Sequence, residues 1–131
     1  MSTCSTILLA ESDPSVLYTL TGILEQAGFC VEGVSKFDSA RQRLRKSEFD
    51  ALMTEFTLDR DELGLELARE AKKLDHPPPV IICTAHPTVE RLRAAHALRV
   101  DYIAFKPLDI AEIRDALHRL IARHNDALCS V

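Results

Sequence analysis

Five short runs of β-branched and aliphatic residues alternate along the chain with five longer stretches in which apolar positions recur every three or four residues. The short runs are Thr6–Ala10, Cys30–Val34, 51–54, 80–83 and 101–104. Two-residue alternation or a short continuous apolar run marks a strand, and the 3.6-residue period marks a helix. The first helix opens at Asp13-Pro14, a capping residue followed by a proline whose fixed φ suits the first turn. It presents Val16, Leu17, Leu20, Ile23 and Leu24 on one face and stops at Gly28. A second helix is predicted over 38–46, with Ala40 and Leu44 inward. The third covers about 63–74, with Leu63, Leu67, Ala68 and Ala71 on one side. Three prolines at 77–79 then force an extended entry into the fourth strand. A fourth helix follows Pro87. A fifth begins after Asp109 with the stripe Ile113, Leu117, Leu120 and Ile121.

Strict β–α alternation at this spacing implies a parallel sheet with helices on both faces. The third and fourth strands read as nearly continuous apolar runs, as strands covered on both faces do. The 131 residues suit one domain, with its core over about 6–121 and a frayed tail over 122–131.

Composition narrows the function classes. The chain carries a net charge of −4, 5% aromatic residues and no Trp, which argues against a nucleic-acid binder. No apolar run reaches the length of a membrane span, and no basic segment precedes the first strand as in a secretory signal, so a cytoplasmic protein is expected. Cys4, Cys30, Cys83 and Cys129 include no closely spaced pair. They are expected to be free thiols rather than zinc ligands or disulfides. The five His residues show no ligand spacing either. Arg41, Arg43, Arg45 and Lys46 make the second helix basic, which reads as a solvated face. His86 next to Thr84-Ala85 lacks the glycine-flanked nucleophile of a hydrolase, and no glycine-rich phosphate loop follows the first strand.

Candidate chemistry lies where the strands end, because ligands of open α/β sheets sit beyond the carboxyl edge. Glu11, Ser12 and Asp13 follow the first strand. Glu55 ends the third, Thr84 follows the fourth and Lys106 follows the fifth. Four separate segments thus bring carboxylates, a hydroxyl and an ammonium to one edge. Asp13 is equally suited to joining this cluster or to capping the first helix.

These segments resemble the receiver domain of bacterial two-component response regulators over about 6–121. The resemblance is carried by Ile-Leu-Leu-Ala-Glu-Ser-Asp-Pro at 7–14, Phe-Asp-Ala-Leu-Met-Thr-Glu at 49–55, Val-Ile-Ile-Cys-Thr-Ala-His at 80–86 and Tyr-Ile-Ala-Phe-Lys-Pro at 102–107. It implies a flavodoxin-like (βα)5 doubly wound sandwich with strand order 2-1-3-4-5. It also implies a signalling module rather than an enzyme. In the family, an acidic pair after the first strand holds Mg²⁺, an Asp ending the third strand accepts a phosphoryl group from a sensor kinase, and the Thr and Lys bind the phosphoryl oxygens. A switch aromatic stands three residues before the Lys.

This chain departs from that pattern at defining positions. Glu55 stands at the phosphoacceptor position, Ser12 replaces the second metal-binding acid, and Ile103 takes the aromatic's place. The 56–64 loop is one residue longer than usual and lacks the family's proline. An extra methylene in Glu55 displaces the attacking oxygen by about 1 Å, enough to cost roughly 10²-fold in rate. Ser12 removes a hard anionic ligand, so magnesium binding by Glu11 and Glu55 is expected to be weak or absent. An ion pair of Glu55 with Lys106, with Thr84 hydrogen-bonded to Glu55, would satisfy the site without metal. Ile103 is either plain strand core or the mark of a lost switch, and Tyr102 should point to the opposite face.

The expectation is therefore a stand-alone, degenerate receiver-like module that works by protein contact. His86, Arg91, Arg93, His96 and Arg99 cluster around the fourth helix. The face of the fourth helix, fifth strand and fifth helix is expected to meet a sensor kinase or a downstream signalling protein, with the chain a monomer or weak homodimer. Two alternatives stand beside it: a phosphorylatable regulator with an atypical acceptor, and a small α/β enzyme or ligand-binding domain using the same crevice.

Overall fold

The computed structural model describes residues 4–129. Strands β1 (Thr6–Ala10), β2 (Cys30–Val34), β3 (Ala51–Glu55), β4 (Val80–Thr84) and β5 (Tyr102–Phe105) alternate with helices α1 (Pro14–Gln26), α2 (Phe37–Lys46), α3 (Leu63–Lys72), α4 (Val89–Ala97) and α5 (Ile110–Cys129). All strand pairings are parallel, in the order β2-β1-β3-β4-β5. The flavodoxin-like doubly wound architecture and its strand order are those expected.

Alternating strand side chains build two cores. Leu8, Leu52, Val80 and Ile82 pack with Ala40 and Leu44 of α2, Leu67, Ala68 and Ala71 of α3, and Ala95 of α4. Ile7, Leu9, Met53, Ile81 and Ala104 pack with Leu20 and Leu24 of α1 and with Ile113, Leu117 and Ile121 of α5. The inner strands β1, β3 and β4 feed both cores with adjacent residues, which explains their unbroken apolar runs. Val16, assigned to the buried stripe of α1, is exposed instead. Gly28, at φ 102°, ends α1 in the left-handed region. Gly64 has a packing role: a β-carbon there would lie 1.7 Å from the Glu55 carbonyl oxygen. The start of α3 thereby rests directly on the end of β3.

One expectation needs correction. Cys4 and Cys30 form a disulfide, with Cα atoms 5.7 Å apart, rather than free thiols. The Cys30 N–H donates to the Ser5 carbonyl at 2.8 Å, so the residues ahead of β1 lie alongside the start of β2. Cys83 is a free, buried thiol whose pKa is pushed up to about 12 by burial. The Cys129 side chain lies outside the described residues. Residues 122–129 continue α5, with mostly exposed side chains over 122–128, while Ser130 and Val131 lie outside the described residues. Among the described residues, no helix is long and apolar enough to cross a membrane.

Candidate functional site

Parallel pairing carries the ends of β1, β3, β4 and β5 to one edge. The Glu11 N–H donates to Val34, that of Phe56 to Cys83 and that of Lys106 to Thr84, at 2.8–3.0 Å. These bonds hold the residues just past the strands in register with their neighbours.

Glu11, Ser12, Glu55 and Lys106 converge there. Lys106 Nζ donates to Glu11 Oε1 at 3.0 Å and to Glu55 Oε2 at 3.4 Å. Glu11 keeps 5% of its side-chain exposure and Glu55 13%. Ser12 donates to Glu55 Oε1 from both its backbone N–H, at 3.0 Å, and its hydroxyl. The Asp59 N–H donates to the same hydroxyl oxygen at 2.6 Å. Glu11 Oε2 accepts the Asp13 N–H at 3.1 Å.

The electrostatics divide the two acids. Burial and a carboxyl–carboxylate contact with Glu55 hold Glu11 above the ordinary carboxylate range. Burial also opposes ionisation of Glu55, but hydrogen bonding with Glu11 and Ser12 and the charge of Lys106 outweigh it and hold Glu55 below that range. Burial likewise works against the Lys106 charge, yet its two carboxylate partners win and raise its pKa.

The expected Glu55–Lys106 ion pair is present, with Glu11 as a second and nearer partner. Two other expectations need correction. Thr84 is not bonded to Glu55. Its buried hydroxyl oxygen accepts from Arg91 Nη1 at 3.3 Å and from the His86 N–H at 3.1 Å. Asp13 stands outside the pocket as the α1 cap, accepting from the Ser15 and Val16 N–H groups. Those bonds hold its pKa below the ordinary value. Ile103 packs on the core beneath α2–α4, whereas Tyr102 packs on the opposite one and its hydroxyl bonds Glu112. Arg91 was visible in the sequence as part of a basic cluster, but its place at the pocket was not. Its guanidinium lies 4.6 Å above the Phe56 ring centroid. With Glu55, Thr84, His86 and Lys106 it lines a cleft of about 230 Å³.

The family model of the response regulator receiver domain matches residues 7–118. The chain belongs to this family. The response regulator receiver protein CpdR of Brucella abortus (strain 2308) is 28% identical over 115 residues, covering 88% of this chain and 95% of CpdR. The sensory transduction protein LytR of Staphylococcus haemolyticus (strain JCSC1435) is 27% identical over 115 residues, or 86% of this chain. This chain spans 44% of LytR's length. Among solved structures, a CheY-like response regulator receiver domain protein from Methanospirillum hungatei JF-1 superposes with a TM-score of 0.87 at 20% identity, covering 95% of this chain and 99% of that one. The receiver domain of sensor histidine kinase PA1611 from Pseudomonas aeruginosa PAO1 superposes at 0.81 with 22% identity, covering 92% and 99%. That structure holds a magnesium ion in its active-site cleft.

All four carboxylate oxygens of Glu11 and Glu55 already accept hydrogen bonds from protein donors. Magnesium demands near-ideal octahedral oxygen ligation. The described residues contain no group of three or more His, Cys, Asp or Glu placed to hold a metal.

Proposed function

We propose that this receiver domain, a single unit over the whole chain, signals by protein contact from a pocket that its own side chains hold closed. Glu55 occupies the phosphoacceptor position. A conventional acceptor needs a carboxylate oxygen facing the donor and a cation to neutralise the transferring group. Here one Glu55 oxygen takes two donors from Ser12 and the other faces Lys106. That engagement is the single observation that carries the reading. Lys106 supplies fixed positive charge against Glu11 and Glu55, and the chain works without magnesium, phosphoryl transfer or catalysis.

Receiver domains interact with kinases and effector proteins in two-component signalling. The partner surface proposed here is the α4–β5–α5 face, which exposes Val89 and Phe105 at 59% and 52%. The module is proposed to be cytoplasmic, and a monomer or weak homodimer when free.

Incubation with acetyl phosphate and Mg²⁺, read by intact mass, tests the proposal. Unmodified protein is the expected result. A phosphoryl adduct mapped to Glu55 refutes it.

A further inference from the structure

We infer that Arg91 is the residue through which the acidic pocket is coupled to α4. It is a positioning residue that seats the Thr84 hydroxyl against α4 and away from Glu55. The relay part of this inference rests on the contact-signalling reading above, whereas the seating of Thr84 stands on local geometry.

Arg91 touches one residue on each side of the pocket. Its guanidinium carbon lies 4.6 Å from the Phe56 ring centroid, and Phe56 directly follows Glu55. Its Nη1 donates to Thr84 Oγ1, and the carbonyl of the same Thr84 accepts the Lys106 N–H. Phe56 is 2% exposed and Thr84 3%, so both contacts bear on rigid, packed neighbours. Cation–π attraction strengthens when the pair is shielded from water.

The backbone around Arg91 is fixed as well. The Thr88 side chain caps α4 by accepting the Arg91 N–H at 3.2 Å. The His86 N–H takes the other approach to the Thr84 hydroxyl oxygen. A guanidinium is suited to this double task because it is planar, stays charged and offers several donors in a fixed fork; a lysine supplies one point charge. Ile103 cannot share it, since its aliphatic side chain has no donor and little χ1 freedom. A movement of Glu55 therefore reaches α4 through Phe56 and Arg91, without an aromatic on β5.

The test compares wild type with Arg91→Ala, Arg91→Lys and Arg91→Met. The methionine keeps apolar bulk over Phe56 without a donor, and together with the lysine it carries the test should the alanine variant fail to fold. Three-bond couplings of the Thr84 methyl report its χ1. Wild type is expected to hold one rotamer, Arg91→Ala and Arg91→Met to average between rotamers, and Arg91→Lys to recover part of the preference. Amide exchange over residues 85–88 should quicken about tenfold without the guanidinium bond. Unchanged Thr84 couplings in both Arg91→Ala and Arg91→Met overturn the seating role. Glu55→Gln should shift α4 amide resonances in wild type and lose that effect in the Arg91→Met background. Equal shifts in both backgrounds overturn the relay. None of these readouts requires a phosphodonor, so a phosphoryl adduct on Glu55 would defeat the contact-signalling reading and leave the Thr84 result standing.

Discussion

Ser12 and Glu55, 43 residues apart, are joined twice: the backbone N–H and the hydroxyl of Ser12 both reach Glu55 Oε1. In the proposed reading, the residue at the position of a metal-binding acid is a donor to the residue at the phosphoacceptor position. The two substitutions fit each other. The longer Glu reaches across to the shorter Ser, and the hydroxyl supplies a proton where a second carboxylate would have repelled.

That complementarity predicts that the family's chemistry returns only when both positions change. Ser12→Asp alone places an extra anion beside Glu55, and Glu55→Asp alone leaves one acid fewer around a cation. The double variant Ser12→Asp/Glu55→Asp restores the acid count and retracts the carboxylate. It should accept a phosphoryl group from acetyl phosphate with Mg²⁺, measured by intact mass, while both single variants stay largely unmodified.

Lys106 holds the two acids together. Its replacement by Met leaves Glu11 and Glu55 without their cation. Removing one partner from a fully buried pair costs about 3–5 kcal/mol. Lys106 is 28% exposed, so partial solvent screening lowers the expected loss to roughly 2 kcal/mol. Urea unfolding should show it. The loss should deepen from pH 5 to pH 7, since both acids must then ionise without compensation.

Glu11 yields a pH signature of unusual sign. Its folded-state pKa lies above the ordinary 4.5, so the folded state binds more protons than the unfolded chain in that window. Its contribution to stability is present below pH 4.5 and is lost as pH rises through the raised value. Glu55, lowered, contributes in the usual direction: its stability is present above pH 4.5 and lost as pH falls through the folded value. Glu11→Gln removes the first component. The stability of this variant relative to wild type should therefore rise with pH above 4.5, followed by urea midpoints across pH 4–7.

Gly64 carries a steric prediction. A β-carbon at this position meets the Glu55 carbonyl oxygen at 1.7 Å and that of Phe56 at 2.7 Å, both backbone atoms. Gly64→Ala must push α3 off the end of β3. Overpacking of this kind costs about 1–3 kcal/mol, and the upper end is expected because no flexible side chain can yield. Thermal melting reads the loss, and amide shifts at Glu55 and Phe56 locate it.

The layered fold was legible because local and global signals agreed. Asp13-Pro14 marked the start of α1, and adjacent apolar residues in 80–83 announced a strand covered on both faces. The convergence of Glu11, Glu55 and Lys106 followed from parallel strands ending at one edge. What the sequence concealed depends on contacts set by tertiary packing. Thr84 turns to Arg91 rather than Glu55 because a side-chain donor from α4 reaches it, and spacing along the chain does not reveal that. Cys4 meets Cys30 through the register of β1 beside β2, invisible in cysteine spacing. Residues 122–129 lack an apolar stripe, the cue on which a helix is recognised. Ala, Arg and Leu nonetheless have good intrinsic helix propensity, and α5 continues through them.

The closed pocket can be challenged most directly with the cation itself. Titrating Mg²⁺ into ¹⁵N-labelled protein, with the Ser12→Asp/Glu55→Asp variant as the positive control, follows the amides of Glu11, Ser12, Glu55 and Phe56. The account predicts saturable shifts in the double variant and none in wild type over the same range. Saturable shifts of those four amides in wild type, at the affinity of the double variant, would contradict it.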